Sequence, residues 1–69
     1  MIRHSVVIDG HKTSVSVEAP FWDALKQIAE ARGLSLNRLI AEIDRDRPGN
    51  LSSAIRVHVL IWYQTRQLP

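Results

Sequence analysis

The dipeptide Asp9-Gly10 divides the first eighteen residues into two stretches that alternate in polarity, a pattern that leaves little choice but a hairpin. A two-residue turn there needs positive φ, which Asp and Gly tolerate. Strands are therefore expected over residues 2–9 and 11–18, pairing Ile8 with His11, Val6 with Thr13 and His4 with Val15. One face then carries Ile2, His4, Val6, Ile8, Thr13, Val15 and Val17. The other carries Arg3, Ser5, Val7, Lys12, Ser14 and Ser16. An apolar face backed by a polar one is the signature of half-buried antiparallel strands.

Helical spacing takes over after the hairpin. Pro20 suits the first position of a helix over residues 20–32, Asp23 suits its positive first turn, and Gly33 suits its C-terminal stop. Leu25, Ile28 and Ala29, with Phe21 or Trp22 above them, make the stripe to be buried. A second helix over 35–46 starts on Ser35 as its cap, with Leu34 stapling onto Leu39. Its stripe is Leu36, Leu39, Ile40 and Ile43, and Pro48-Gly49 breaks the chain after it. The segment 51–67 carries both periods. Ile55, Val57, Val59, Ile61 and Tyr63 alternate as in a strand, whereas Leu51, Ile55, Val59 and Trp62 recur at helical spacing. It is too long for a typical strand, no turn interrupts it and Asn50 is a fair cap, so a third helix is expected, apolar over most of its circumference. The whole, residues 1–69, is read as one mostly helical α+β domain with a strand region over 1–18.

A chain of 69 residues buries only ~60% of the surface its unfolded form exposes. With no cysteine it has neither a disulfide nor a thiolate metal site. At 45% hydrophobic residues the chain is globular, and a second copy is the simplest way to complete its core, so an obligate homodimer is expected. The net charge of +2 is spread along the chain: residues 1–18 are neutral, residues 19–47 balance, and Arg56 and Arg66 supply the surplus. There is no spanning segment or signal-like stretch, so a cytoplasmic location and no membrane partner are expected. Neither a nucleophile–base–acid set nor a Gly-rich phosphate loop occurs, which argues against an enzyme and against a cofactor. His4, His11 and His58 lack ligand spacing, so no metal is expected; His4 and His11 share the inner face and are expected partly buried or at its edge. Glu42, Asp44 and Asp46 beside Arg45 and Arg47 read as a solvated cluster, and Trp22, Trp62 and Tyr63 as packing.

The stretch KTSVSVEAPFWDALKQIAEARGLSLNRLIAEI, Lys12 to Ile43, runs an alternating strand into a Pro-initiated helix that closes on Ala-Glu-x-x-Gly, followed by a Ser-capped helix. It resembles the ribbon-helix-helix family of bacterial DNA-binding proteins. The following GNLSSAIRV, Gly49 to Val57, looks like a variant of that family with an added C-terminal helix. The resemblance implies a homodimer whose two strands pair into a ribbon that enters the major groove of double-stranded DNA, acting as a transcriptional repressor. Carried over by position, Lys12, Ser14 and Ser16 would read bases. Ser35, Leu36 and Asn37 would hold a phosphate at a helix N-terminus, with Arg3 as a further backbone contact. Val15, Val17, Leu25, Ile28, Leu39, Ile40 and Ile43 would form the dimer core, and the third helix would extend it or join dimers into a tetramer.

Two departures bear on this expectation. One cation and two small serines per ribbon strand imply weak or shape-led recognition. An added strand over 2–9 would make a four-stranded sheet too wide for the groove. That arm must peel away at Gly10 and touch backbone through Arg3, or else the reading face is compromised. A second reading, from another class, is a protein-interaction module whose last helix docks a protein partner, as in the antitoxin half of a toxin–antitoxin pair.

Overall fold

The computed structural model describes residues 2–46 and 49–67. Pro48, expected to break the chain, and Arg47, expected in the charged cluster, lie outside the described residues. The elements run β1 (Ile2–Ile8), β2 (His11–Val17), α1 (Ala19–Arg32), α2 (Leu36–Asp46) and α3 (Leu51–Gln67). The fold is α+β, an N-terminal hairpin followed by three helices.

β1 and β2 pair antiparallel in the expected register, with Ile8 opposite His11, Val6 opposite Thr13 and His4 opposite Val15, and the ladder continues to Ile2 opposite Val17. The turn takes φ of 51° at Asp9 and 81° at Gly10, so both central residues are left-handed as such a hairpin demands. β1 thus stays on β2 along its whole length instead of peeling away at Gly10. Val6, Ile8, Val15 and Val17 are buried, whereas Ile2 and Thr13 are exposed although they share that face. Ile2 is at the end of the ladder away from the turn.

α1 begins at Ala19, one residue before the expected start, so Pro20 falls inside its first turn and Asp23 just beyond it. Asp23 serves instead as a weak partner of Lys26, 3.7 Å away on an exposed face. Gly33 closes the helix at φ 69°, its N–H bonded to Glu30 O and that of Leu34 to Ala29 O. Ser35 and Asn50 cap α2 and α3: Ser35 Oγ accepts from Arg38 N–H at 3.1 Å and Asn50 Oδ1 from Ser53 N–H at 3.2 Å.

A single cluster gathers the interior: Val6, Ile8, Val15 and Val17 from the hairpin, Leu25, Ile28 and Ala29 from α1, Leu39, Ile40 and Ile43 from α2, and Ile55 and Val59 from α3. α2 packs against β1, α3 packs against β2, and α1 packs against both helices. Two ion pairs tie these layers together at their rims. Arg56 Nε donates to Glu18 Oε1 at 2.9 Å, joining α3 to the link between β2 and α1; Arg32 Nη1 donates to Glu42 Oε2 at 2.7 Å, joining α1 to α2. Glu42 is therefore a tertiary contact and more than a member of a solvated cluster.

These groups give the fold a pH dependence of one sign. Burial holds His58 below its ordinary pKa, with Arg32 adding to the effect and Glu42 opposing it. Below pH 6.5 the unfolded chain therefore takes up a proton that the folded chain resists, and stability is lost as the pH is lowered. Hydrogen bonds from Arg56 and Arg32 hold the Glu18 and Glu42 carboxyls below their ordinary value. Their contribution is present above pH 4.5 and is lost as pH falls through the lowered values. Thermal melts from pH 8 to pH 3 should show the first loss near pH 6.5, absent in His58→Gln, and the second below pH 4.5. A melting temperature that rises on acidification would contradict both assignments.

Candidate functional site

Strand alternation sends Lys12, Ser14 and Ser16 to the side of the hairpin away from the helices, because their neighbours Val15 and Val17 are held in the core. Lys12 and Ser14 are exposed, and Ser16 is half-buried at the end where β2 turns into α1. The register sets Val7 opposite Lys12, Ser5 opposite Ser14 and Arg3 opposite Ser16. The outward face is thus polar except for Val7, which is 44% exposed. The sheet has only two strands, so among the described residues no strand pairs the outer edge of β2. An unpaired edge leaves N–H and C=O groups for a further strand.

The second group of expected residues lies at the start of α2. Ser35 is exposed, and its hydroxyl is engaged by Arg38 N–H while its carbonyl accepts from Leu39 N–H. Leu36 is half-buried against the core, so it has only its amide to offer at this end. Asn37 is exposed. The first amides of a helix have no carbonyl partner within it and carry the positive end of the dipole, so this end can bind an anion. The two groups stand on separate elements, with α2 packed beneath β1.

Arg38 belongs with them and was not singled out from the sequence. It is exposed in the first turn of α2, where the dipole disfavours a cation and where no acidic residue lies. A basic side chain at a helix start is the sequence signal that could have found it, since a bound phosphate reconciles the charge with its position. Among the described residues Lys26, Arg32 and Arg56 each meet a carboxylate, whereas no ion pair joins Arg3, Lys12 or Arg38 to one.

The residues expected to form the core of a dimer, Val15, Val17, Leu25, Ile28, Leu39, Ile40 and Ile43, are all buried within one chain. The histidines sit far apart in role. The His4 ring stacks on Trp22 at 3.6 Å and 4°, pinning β1 to α1; His58 lies between α2 and α3; His11 is exposed beside the turn. The aromatic residues also pack: Tyr63 Oη donates to Gln27 Oε1 at 3.2 Å, and the Arg66 guanidinium lies 3.7 Å above the Trp62 ring. No helix among the described residues is long and apolar enough to cross a membrane.

Residues 1–63 match the model of a family described as the ribbon-helix-helix domain. Neither the curated proteins nor the solved structures gave a match.

Proposed function

The chain belongs to the ribbon-helix-helix domain family, non-catalytic proteins that typically bind DNA and are generally dimeric, and from that premise we propose that it binds double-stranded DNA as a homodimer and acts as a transcriptional repressor. The observation that carries this reading is the division of β2: Lys12 and Ser14 point outward, Val15 and Val17 inward, and the strand edge beside them is unpaired. Antiparallel pairing of β2 with β2 of a second copy satisfies that edge and doubles the outward set of Lys12, Ser14 and Ser16. Lys12 donates to guanine O6 or N7, and the serine hydroxyls donate or accept.

Because β1 remains paired, the resulting sheet has four strands. Its outer strands are ~14 Å apart by the usual strand spacing, against a major groove about 12 Å wide. A sheet this wide does not enter the groove as a two-stranded ribbon would, so the reading face is compromised: the sheet lies over the groove, with Lys12 of the central pair reaching in and each β1 over a flanking backbone. Arg3, on the outward face of β1, meets phosphate there. The start of α2 supplies the second phosphate contact through the amides of Leu36 and Asn37, with Ser35 as the cap and Arg38 adding charge. Few long side chains reach bases from this sheet, so sequence is read largely through groove shape.

Selection of bound duplexes from a random pool, followed by titration of variants, tests the reading. Lys12→Ala should weaken binding to a selected site by ~1–3 kcal/mol if it reads guanine. If it touches phosphate, binding should weaken evenly across sequences, and the salt dependence should become shallower by about one ion for each phosphate no longer neutralised. Ser14→Ala should shift sequence preference and leave the melting temperature in place. Failure of the pool to yield any enriched duplex would remove the proposal.

A further inference from the structure

A groove of about 430 Å³ lies between α2 and α3, and none of the residues proposed to meet DNA lines it. Small-molecule sites are commonly of this size. Its walls are apolar, with Ile43 from α2 and Ala54, Val57 and Ile61 from α3. Val57 and Ile61 are 54% and 55% exposed and stand one helical turn apart, so two large aliphatic groups are left uncovered in the single chain. The charged groups of the groove are of one sign. Glu42 and Asp46, four residues apart on α2, both border it, and among the described residues no Lys or Arg does. His58 also lines it, but burial holds that ring below its ordinary pKa, so it carries no charge at neutral pH.

The two carboxylates differ in what they have left to bind. Glu42 is already held by Arg32 at 2.7 Å. Asp46 is exposed, and among the described residues no ion pair joins it to a cation. An apolar groove bordered by an unpaired carboxylate is complementary to a molecule with a cationic head and an apolar body. The body leaves water against Val57 and Ile61, while the head stays partly solvated and pairs with Asp46. An anionic head would instead meet two carboxylates, and a neutral one would leave Asp46 unpaired. Ser53 and Ile61, both in the lining, are eight positions apart on α3, so the groove follows ~12 Å of helix and suits a short body. Past Ile61 a neighbouring hollow is bordered by Arg66, which confines a cation to the α2 side. We propose that this groove binds a small aliphatic amine in its protonated form, with the ammonium group at Asp46 and the chain along Val57 and Ile61. The site stands whether or not the chain binds DNA.

Octylammonium, octan-1-ol and octanoate, one chain with three head groups, test the site by titration into the isotope-labelled full chain, followed by amide NMR shifts. Octylammonium should shift Ile43, Ala54, Val57 and Ile61 saturably and bind about fivefold more tightly than octan-1-ol, with octanoate weaker than either. Asp46→Asn should bring octylammonium down to the affinity of octan-1-ol, and Asp46→Lys should reverse the order of octylammonium and octanoate. Asp46 is exposed, so both variants should retain their helical circular dichroism. Val57→Ser should weaken all three probes alike, because it shortens the apolar wall and leaves the head-group contact in place. Equal affinities for the three probes, or an order unchanged in Asp46→Lys, overturn the proposal. Shifts that spread over the hairpin without saturating do so too, since they mark a non-specific amphiphile. Sedimentation of the same samples supplies the remaining check: octylammonium that binds only as it splits an oligomer would make the groove an interface between copies, and the site would fall.

Discussion

Ile55→Ala is expected to unfold most of the chain at room temperature. The side chain is fully buried in α3, in the same cluster as Val15 and Val17 of β2 and Leu25 and Ile28 of α1. Truncating an isoleucine in such a place costs ~2–5 kcal/mol, the lost transfer energy plus the cavity left behind. A core of this size supplies only ~3–5 kcal/mol net, so one truncation consumes most of it. Leu60→Ala, five residues further along the same helix but 55% exposed, should change the stability of the isolated fold by no more than ~0.5 kcal/mol. Both are read by thermal melts at one fixed protein concentration, because association of copies raises the melting temperature by mass action. Equal effects from the two substitutions would mean that α3 is an appendage rather than a wall of the core. A large effect at Ile55 alone would establish that the helix added after α2 completes the fold.

The periodicity of the sequence carried most of this architecture because its signals were local and agreed with one another. Asp9-Gly10 permits one turn geometry, and the two-residue loop then sets every pair down to Ile2 and Val17. Gly33, Ser35 and Asn50 mark helix ends through single hydrogen bonds or a single positive φ, which leave traces in residue type. What could not be read was set by distance along the chain. Nothing in the sequence links Glu18 to Arg56 or Arg32 to Glu42, since an exposed charge has many candidate partners and only the packed helices choose among them. The stacking of His4 on Trp22 was hidden in the same way: an inward histidine at the edge of a sheet was foreseeable, its aromatic neighbour on α1 was not. Segment 51–67 was ambiguous because its apolar residues satisfy both periods. The tertiary structure resolves it by burying Ile55 and Val59 and leaving Val57 and Ile61 outside, a four-residue repeat that only a helix provides. The site was legible only as a face. The alternation of β2 placed Lys12 and Ser14 outward, but Arg38 stood out only once the structure showed that it meets no carboxylate among the described residues, since a cation on an exposed helix turn reads in the sequence as an ordinary solvated charge.

Asn37→Asp is expected to abolish high-affinity DNA binding while holding or raising the stability of the fold. Asn37 is exposed in the first turn of α2, between the cap at Ser35 and the cation at Arg38, and no acidic residue is present in that turn. A carboxylate there meets the positive end of the helix dipole, which stabilises the free protein by ~0.3–1 kcal/mol. In the complex it would stand beside a phosphate held by the amides of Leu36 and Asn37. Two anions a few ångströms apart repel even in a high-dielectric setting, and each ~1.4 kcal/mol of repulsion lowers affinity about tenfold. A dimer carries the change twice, so the loss should exceed about a hundredfold. Ser35→Ala separates this effect from mere loosening of the helix end. Removing the cap should cost ~1 kcal/mol of stability, and Ser35→Gly less, while the amides and dipole that grip the phosphate remain in place and binding falls only modestly. Stability and affinity should therefore move in opposite directions for Asn37→Asp and together for Ser35→Ala, when melts and DNA titrations are run at the same ionic strength. That contrast cannot come from misfolding, which lowers both. Binding untouched in a folded Asn37→Asp protein would mean that the start of α2 faces away from DNA, and the exposed surface of α3, docking a protein, would then be the better guide to what the chain does.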